Sequence, residues 1–218
     1  MIAKQQITIM LVDDHDMIRE GYRSLLKKQA QLKLVAEAAD GAEAYLCFKE
    51  YQPDLVIMDL SLPGQGGLET ITRIKQHNEK SKILVFSMHQ TPLFALQAIR
   101  AGALGYVTKS STPNILLDAI YKVHAGHRIL SPDMAQALAL EKSGHESIAL
   151  QSLTTREFEI LRMLAESRSK EDIALTLNIS PKTVSNCHYL IKGKLNVSSD
   201  IELTHLAIRM NVINFFDL

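Results

Sequence analysis

Short apolar runs alternate with longer amphipathic stretches along the first half of the chain. Runs rich in Val, Ile, Leu and Met, each bounded by polar residues, predict buried strands near 7–12, 33–38, 54–58, 82–87 and 105–107. The stretches between and after them predict helices near 15–29, 40–51, 66–78, 91–102 and 112–125. Strands that alternate with helices form parallel sheets covered on both faces. We therefore predict an α/β fold with a doubly wound, five-stranded parallel sheet.

The pattern changes after Gly126. A helical piece near 131–142 leads into the polar stretch KSGHESIALQS, which has the composition of a linker. The last third predicts four short helices, so the chain divides into a first domain at 1–126, a linker with a helical segment at 127–151, and a small all-α domain at 152–218. The first three of these helices have clear start signals in Thr154 with Glu157, Ser169 with Asp172, and Ser180 with Pro181.

The second and third of these helices are joined by a very short turn. Asn178, between them, can adopt the left-handed conformation that ends a helix. Two helices joined in this way form a helix-turn-helix. Ser199 with Glu202 then marks the start of the fourth helix.

The third of these helices has an apolar and a basic face. Spacings of three and four predict that Val184, Cys187, Ile191 and Leu195 face the core, opposite Lys182, Ser185, Asn186, Tyr189 and Lys192. All charged residues from Ser180 to Leu195 are lysines. Such a face suits the major groove of DNA, although charge alone is equally compatible with an ordinary lysine-bearing surface.

The fourth helix carries two apolar stripes. One consists of Leu203, Leu206, Ala207 and Met210, and the other of Ile201, His205 and Ile208. One stripe can pack on the core of its own domain. The other either meets its copy in a dimer or is also buried internally.

Polar residues end four of the apolar runs in the first domain. They are Asp13 and Asp14, Asp59, Ser87 and Lys109. Ligands bind at the carboxyl ends of strands in sheets of this kind, so these side chains should meet at one edge. Three carboxylates held together repel one another and need a cation, and hard oxygen ligands favour Mg²⁺. Each residue alone has an ordinary interpretation, such as a turn or cap for Asp59, but together they favour phosphoryl transfer to an aspartate.

Residues 5–126 resemble the receiver domain of two-component response regulators, on the strength of these residues and their order. The resemblance implies that a histidine kinase phosphorylates Asp59. It further implies that Mg²⁺ is bound by Asp13, Asp14, Asp59 and the backbone carbonyl of Ser61. Ser87 and Lys109 would contact the phosphoryl group, and Tyr106 would be the aromatic residue that changes rotamer with Ser87.

A phosphatase of the haloacid dehalogenase type also combines an aspartate nucleophile, Mg²⁺, a hydroxyl residue and a lysine. Those enzymes have a second aspartate two residues after the nucleophile, where this chain has Ser61. The difference favours a persistent phospho-aspartate, hence a switch and not an enzyme.

Residues 153–197 resemble the LuxR-type DNA-binding domain. With the receiver, this makes the chain similar to the NarL/FixJ class of transcriptional response regulators, and the segment SSDIELTHLAIR is most similar to the GacA/UvrY branch. The resemblance implies binding to double-stranded DNA as a homodimer. Base edges would be contacted by Ser185, Asn186 and Tyr189, and phosphates by Lys182, Thr183 and Lys192. The alternative is a C-terminal module that binds RNA or a protein partner.

Two departures from the LuxR-type pattern lie in the third helix. Cys187 stands where histidine is frequent, and Gly193 interrupts the helix near its end. Glycine costs about 1 kcal/mol there relative to alanine, so the extent of the helix and the direction of Lys194 are open.

Composition adds limits to this picture. The formal net charge is zero, so nucleic acid must be bound by a local patch. No apolar stretch has the length of a membrane span, and the two cysteines, Cys47 and Cys187, have no metal-ligand spacing, so we expect a reduced, cytoplasmic protein. His15 and His89 could border the phosphorylation site, but the sequence favours solvated loop residues.

Overall fold

The structure is a computed structural model that describes residues 6–140 and 149–213. Six parallel strands form one sheet in the order β2-β1-β3-β4-β5-β6. Their bounds are Ile7–Val12 for β1, Leu32–Ala38 for β2, Leu55–Met58 for β3, Ile83–Ser87 for β4, Gly105–Thr108 for β5 and Ile129–Leu130 for β6. The predicted α/β class with a doubly wound parallel sheet is confirmed.

The sixth strand is a feature that the sequence prediction of five strands missed. Ile129 and Leu130 pair in parallel with Gly105 and Tyr106 of β5. Two apolar residues are too short a run to predict a strand, and only the neighbouring edge of β5 gives them hydrogen-bond partners. Both residues lie in the segment 127–151, which we predicted as a linker. The bounds of that linker remain a prediction, and its polar part at 141–148 lies outside the described residues.

Helices follow the first five strands as predicted, and a sixth follows β6. They are Asp16–Lys27 (α1), Gly41–Tyr51 (α2), Gly67–His77 (α3), Pro92–Ala101 (α4), Pro113–His124 (α5) and Pro132–Leu140 (α6). Asp40 caps α2 by accepting hydrogen bonds from the backbone N–H groups of Ala42 and Glu43. Pro92, Pro113 and Pro132 each occupy the first position of a helix, where the missing N–H costs nothing.

The sheet is buried on both faces because its central strands are apolar along their whole length. Every residue of β3 and β4 is buried. On one face of the sheet, strand residues pack with residues of α1 and α5 in a single cluster, which includes Ile9, Ile57, Phe86, Leu116 and Ile120. This packing fixes the strand ends relative to one another.

By its contacts the chain forms two compact units, one of residues 1–90 with 98–139 and one of residues 91–97 with 140–218. Four helices of the second unit are Thr155–Ala165 (α7), Lys170–Leu177 (α8), Pro181–Leu195 (α9) and Asp200–Arg209 (α10). The predicted start signals are present: the side chains of Thr154, Ser169, Ser180 and Ser199 each accept a hydrogen bond from a backbone N–H in the first turn of these helices. Asn178 ends α8 with φ 52°, as predicted for the turn of a helix-turn-helix.

The buried face of α9 differs from the prediction at one position. Val184, Ile191 and Leu195 are buried, but the fourth buried residue is His188, whereas Cys187 is only partly buried. His188 lies four residues after Val184, so it continues the same face. Gly193 does not interrupt the helix, which runs on to Leu195 and ends at Asn196 with φ 53°.

Candidate functional site

Asp13 and Asp59 lie at the carboxyl ends of the adjacent strands β1 and β3. The backbone N–H of Asp59 donates to the carbonyl of Val12 (2.9 Å), which fixes the two strand ends side by side. Both side chains are only 2% exposed. The parallel register, and not any local signal, thus brings together two carboxylates that are 46 residues apart in the chain.

Lys109, which directly follows β5, bridges the two buried carboxylates. Its Nζ lies 2.6 Å from Asp13 Oδ2 and 2.6 Å from Asp59 Oδ2, and its side chain is 3% exposed. Its backbone N–H donates to the carbonyl of Ser87 at the end of β4 (2.8 Å). The structure therefore brings the predicted Asp13, Asp59, Ser87 and Lys109 to one edge of the sheet.

Burial and charge act in opposite directions on this cluster. Burial raises the pKa of Asp59, and the ammonium group of Lys109 offsets part of that effect. Burial alone would lower the pKa of Lys109, but attraction to Asp59 and hydrogen bonds to both carboxylates leave it above its ordinary value. A buried cation paired in this way stays charged, so it is available to a negatively charged group.

Side chains of the types that bind metal ions cluster at the same edge. Ligand atoms of Asp13, Asp14, His15 and Asp59 all lie within 4.8 Å of one another. Asp14 is more open than the buried pair, with 31% of its side chain exposed. The hard oxygen atoms of the three carboxylates are chemically suited to Mg²⁺.

The structure places His15 and His89 at the border of the carboxylate cluster, the interpretation that the sequence favoured less. His15 Nδ1 lies 2.7 Å from Asp14 Oδ1, although 59% of the side chain is exposed. His89 Nε2 lies 3.1 Å from Ser61 Oγ. The sequence signal for this location was that His15 directly follows Asp14 and that His89 lies two residues after Ser87. Nothing in the sequence showed which way either ring would turn.

Tyr106 of β5 is fully buried. Its hydroxyl donates to the backbone carbonyl of His89 (2.9 Å), and burial raises the pKa of the phenol. Ser87 is also fully buried, and its Oγ lies 3.4 Å from the backbone nitrogen of His89. The predicted aromatic residue and the predicted hydroxyl residue thus contact the same short segment after β4.

A glycine lies directly against the backbone of Asp59. Gly67, at the start of α3, donates its N–H to the carbonyl of Leu60 (3.1 Å). A Cβ at this position would lie 2.1 Å from the carbonyl oxygen of Asp59. Only glycine allows α3 to approach the segment after Asp59 this closely.

The second candidate site is the exposed face of α9, which we call the recognition helix. Of the six residues predicted to contact DNA, five are exposed: Lys182, Thr183, Ser185, Asn186 and Tyr189. Tyr189 is 80% exposed, more than any other aromatic residue within 6–140 and 149–213 that is counted among the exposed large hydrophobic residues. Lys192, the sixth, is partly buried and pairs with Asp200, a contact for which the sequence has no local signal.

The C-terminal part of the recognition helix is fixed to α7. Lys194 Nζ lies 2.8 and 2.6 Å from the two carboxylate oxygens of Glu157. Glu157 also completes a capping box with Thr154. The direction of Lys194, which the sequence left open, is therefore toward Glu157 at the start of α7.

Two family models match the chain over these two sites. Residues 9–121 match the response regulator receiver domain, and residues 151–207 match the bacterial regulatory proteins of the luxR family. The chain is 37% identical to the response regulator UvrY of Escherichia coli K12, over 95% of this chain and 96% of the relative. It is 42% identical to the transcriptional activator protein ExaE of Pseudomonas putida, over 94% and 97%.

A solved structure is similar over nearly the whole chain. RcsB of Salmonella enterica serovar Typhimurium, bound to the promoter rprA in the presence of phosphomimetic BeF₃⁻, is 25% identical with a TM-score of 0.74, over 93% of this chain and 98% of that chain. The chain therefore belongs to the two-component response regulators with a receiver domain and a LuxR-type DNA-binding domain, a family of transcriptional regulators and not of enzymes. None of the helices in the described ranges has the length and apolar character needed to cross a membrane.

Proposed function

We propose that Asp59 is the phospho-acceptor of this response regulator and that a sensor histidine kinase is the donor. The observation that carries the proposal is the buried Asp59 carboxylate held against Lys109 Nζ at 2.6 Å, at the strand edge shared with Asp13. A carboxylate oxygen of Asp59 attacks the phosphorus of a phospho-histidine. The P–N bond breaks, and the imidazole leaves with its electron pair and takes up a proton.

The other residues of the cluster have separate roles in this reaction. Asp13, Asp14, Asp59 and the backbone carbonyl of Ser61 would hold Mg²⁺, which when bound offsets the charge of the phosphoryl oxygens. Lys109 moves its ammonium group from the carboxylates toward the added phosphoryl oxygens. Ser87 donates a hydroxyl hydrogen bond to the same group, and Tyr106, which shares the segment after β4 with Ser87, changes its rotamer in response.

Phosphorylation of variants tests this assignment. We expect the full chain to take up radiolabelled phosphate from acetyl phosphate in the presence of Mg²⁺, Asp59→Asn to take up none, and a chelator to abolish uptake. Asp16→Asn is the matched control because this acid lies in the first turn of α1, 89% exposed and outside the cluster. Label that survives in Asp59→Asn would contradict the assignment.

The recognition helix is proposed to bind the major groove. Ser185, Asn186 and Tyr189 are exposed along one face and would contact base edges, with Asn186 suited to bidentate bonds with adenine. Lys182, Thr183 and Lys192 would contact phosphates. The matching domain is that of bacterial regulatory proteins, whose target DNA lies in the cytoplasm. The protein is therefore proposed to act there.

A homodimer on DNA is supported by the fourth helix of the second unit. In α10 the stripe of Leu203, Leu206 and Ala207 is buried. The other stripe remains open: Ile201 is 70% exposed, and His205 is exposed beside the half-buried Ile208. An open apolar stripe on a surface helix favours packing against its copy, so that each protomer binds one half-site.

The division between base and phosphate contacts can be tested by two substitutions. Asn186→Ala should cost about 1–3 kcal/mol of binding free energy on the preferred duplex and less on others. Lys192→Ala should weaken binding to all duplexes, and it should lower the salt slope, the dependence of log K on log salt concentration, by about one. Duplexes selected from genomic fragments supply the preferred sequence. Equal losses on every duplex for both variants would contradict the division, and binding that prefers RNA would favour the alternative C-terminal function.

A further inference from the structure

The recognition helix is less positive than its sequence indicates. Two of its three lysines pair with acids from other helices of the same unit: Lys194 with Glu157 of α7, and Lys192 with Asp200 of α10. Lys194 is committed to two carboxylate oxygens of a buried acid. Lys192 makes a single contact with an exposed acid, so it is the lysine that can exchange its partner.

Asp200 is the first residue of α10 and faces two side chains of the recognition helix. Its Oδ1 lies 3.1 Å from Lys192 Nζ and 2.9 Å from His188 Nε2. The side chain of His188 is 10% exposed, and burial lowers the pKa of its imidazole. Burial thus disfavours the charged form of His188, and the hydrogen bond from Lys192 is the largest cause of the lowered pKa of Asp200.

The position of Lys192 makes this pairing relevant to DNA. Lys192 follows Ser185 by seven residues and Tyr189 by three, a spacing that places it on the same exposed helix face. An ion pair at the surface is weak, so a phosphate can replace Asp200 as the partner of Lys192. Contacts from lysine to phosphate do not depend on sequence, and they supply most of the non-specific affinity of such proteins.

We propose that Asp200 is a specificity-determining residue that competes with DNA phosphates for Lys192. On a non-preferred duplex the base contacts do not fix the recognition helix, so Asp200 competes with the phosphates for Lys192 and weakens, without abolishing, its phosphate contact. On the preferred duplex the base contacts fix the helix, and Lys192 is held beside a phosphate that displaces Asp200. The proposal rests on the proposed function, in which the recognition helix binds DNA.

Substitution of Asp200 tests the proposal in the full chain. Affinities of the wild type and Asp200→Asn are measured at several salt concentrations for a selected duplex and a scrambled duplex of the same length and composition. We expect Asp200→Asn to bind the scrambled duplex about 2–5-fold more tightly, with a salt slope steeper by a fraction of one phosphate contact. The selected duplex should change much less, so the ratio of the two affinities falls.

Three control variants separate this role from a general effect of charge. Asp200→Glu keeps the carboxylate and should retain the wild-type ratio. Glu171→Gln removes an exposed acid of α8 and should leave the ratio unchanged. In a Lys192→Ala background, Asp200→Asn should no longer change the salt slope, because the lysine through which it acts is gone.

The outcomes are distinguishable. Three results would overturn the role of Asp200 and leave DNA binding intact. They are an equal gain in affinity on both duplexes, a full effect of Asp200→Asn in the Lys192→Ala background, and the same change in the ratio from Glu171→Gln. Failure of the wild type to prefer any duplex would overturn the proposed function and this inference together. Thermal unfolding of each variant confirms that the compared proteins are folded.

Discussion

The two candidate sites differ in how deeply their ion pairs are buried. In the first unit, Asp13, Asp59 and Lys109 are no more than 3% exposed and satisfy one another inside the protein. On the recognition helix, Lys192 and Asp200 are 25% and 71% exposed and can exchange partners with solvent or a ligand. Burial, and not the number of charged residues, therefore decides how much the stability of each site depends on its own ion pairs.

Loss of the buried cation should have the largest effect. Lys109→Gln leaves the carboxylates of Asp13 and Asp59 buried without their cation, and we expect it to destabilise the first unit by about 3–5 kcal/mol. Hydrogen exchange in β1 and β3 measures the change. Added Mg²⁺ should restore part of the lost stability by replacing the missing charge.

The exposed pair between Lys122 and Asp118 supplies the control for that measurement. Their charged atoms lie 2.7 Å apart, and both side chains are more than half exposed. Lys122→Gln should change hydrogen exchange very little. If Lys122→Gln destabilised the unit as much as Lys109→Gln, burial would not be what makes an ion pair important for stability.

A glycine beside the buried cluster gives a second test. In Gly67→Ala the new Cβ would meet the carbonyl oxygen of Asp59, so α3 or the segment after β3 must move. Overpacking of this kind should cost about 1–3 kcal/mol and should also slow phosphorylation of Asp59. Wild-type phosphorylation kinetics and stability in this variant would show that the close approach is not required.

Glu157 is an intermediate case between the two sites, because its side chain is 10% exposed and pairs with Lys194. Glu157→Gln removes this ion pair and weakens the capping box, so it should destabilise the second unit by about 1–2 kcal/mol. Hydrogen exchange of amides in α7 measures the effect. Glu171→Gln, an exposed acid of α8, should leave that exchange unchanged.

The same pair predicts a pH dependence. Burial raises the pKa of Glu157, but hydrogen bonds from Lys194 and Thr154 outweigh it and hold the pKa below its ordinary value. The stabilisation is therefore complete above the pKa of the unfolded chain and is lost as the pH falls through the lower folded value. Glu157→Gln cannot titrate, so the difference between it and the wild type should vanish at acidic pH.

The smallest effect is expected at the open glycine of the recognition helix. A Cβ at Gly193 would meet no described atom within 4 Å. Gly193→Ala should therefore stabilise the second unit by about 0.5–1 kcal/mol, since glycine is a poor helix former. Thermal unfolding measures the gain, and a loss of stability would show that the helix needs glycine at this position.

Much of the fold and of the first site was predictable because the relevant signals are local. Buried parallel strands are apolar along their whole length, and the residue that follows each strand lies at the ligand edge whatever the details of packing. Asp13, Asp59, Ser87 and Lys109 could be grouped for that reason. Helix starts at Thr154 and Ser180 were equally local, since a cap bonds to a residue three positions away.

Other features depended on residues that are distant in sequence. The strand Ile129–Leu130 exists because β5 offers it an edge, and the ring of His89 turns toward Ser61 because two loops are adjacent. A lysine in a sequence shows its charge but not its partner. The sequence by itself thus determined the α/β class, the helix-turn-helix and the grouping of Asp13, Asp59, Ser87 and Lys109 at one edge of the sheet. Only the tertiary structure decided that Lys194 pairs with Glu157 and that Asp200 faces Lys192, because long side chains find their partners through packing between helices.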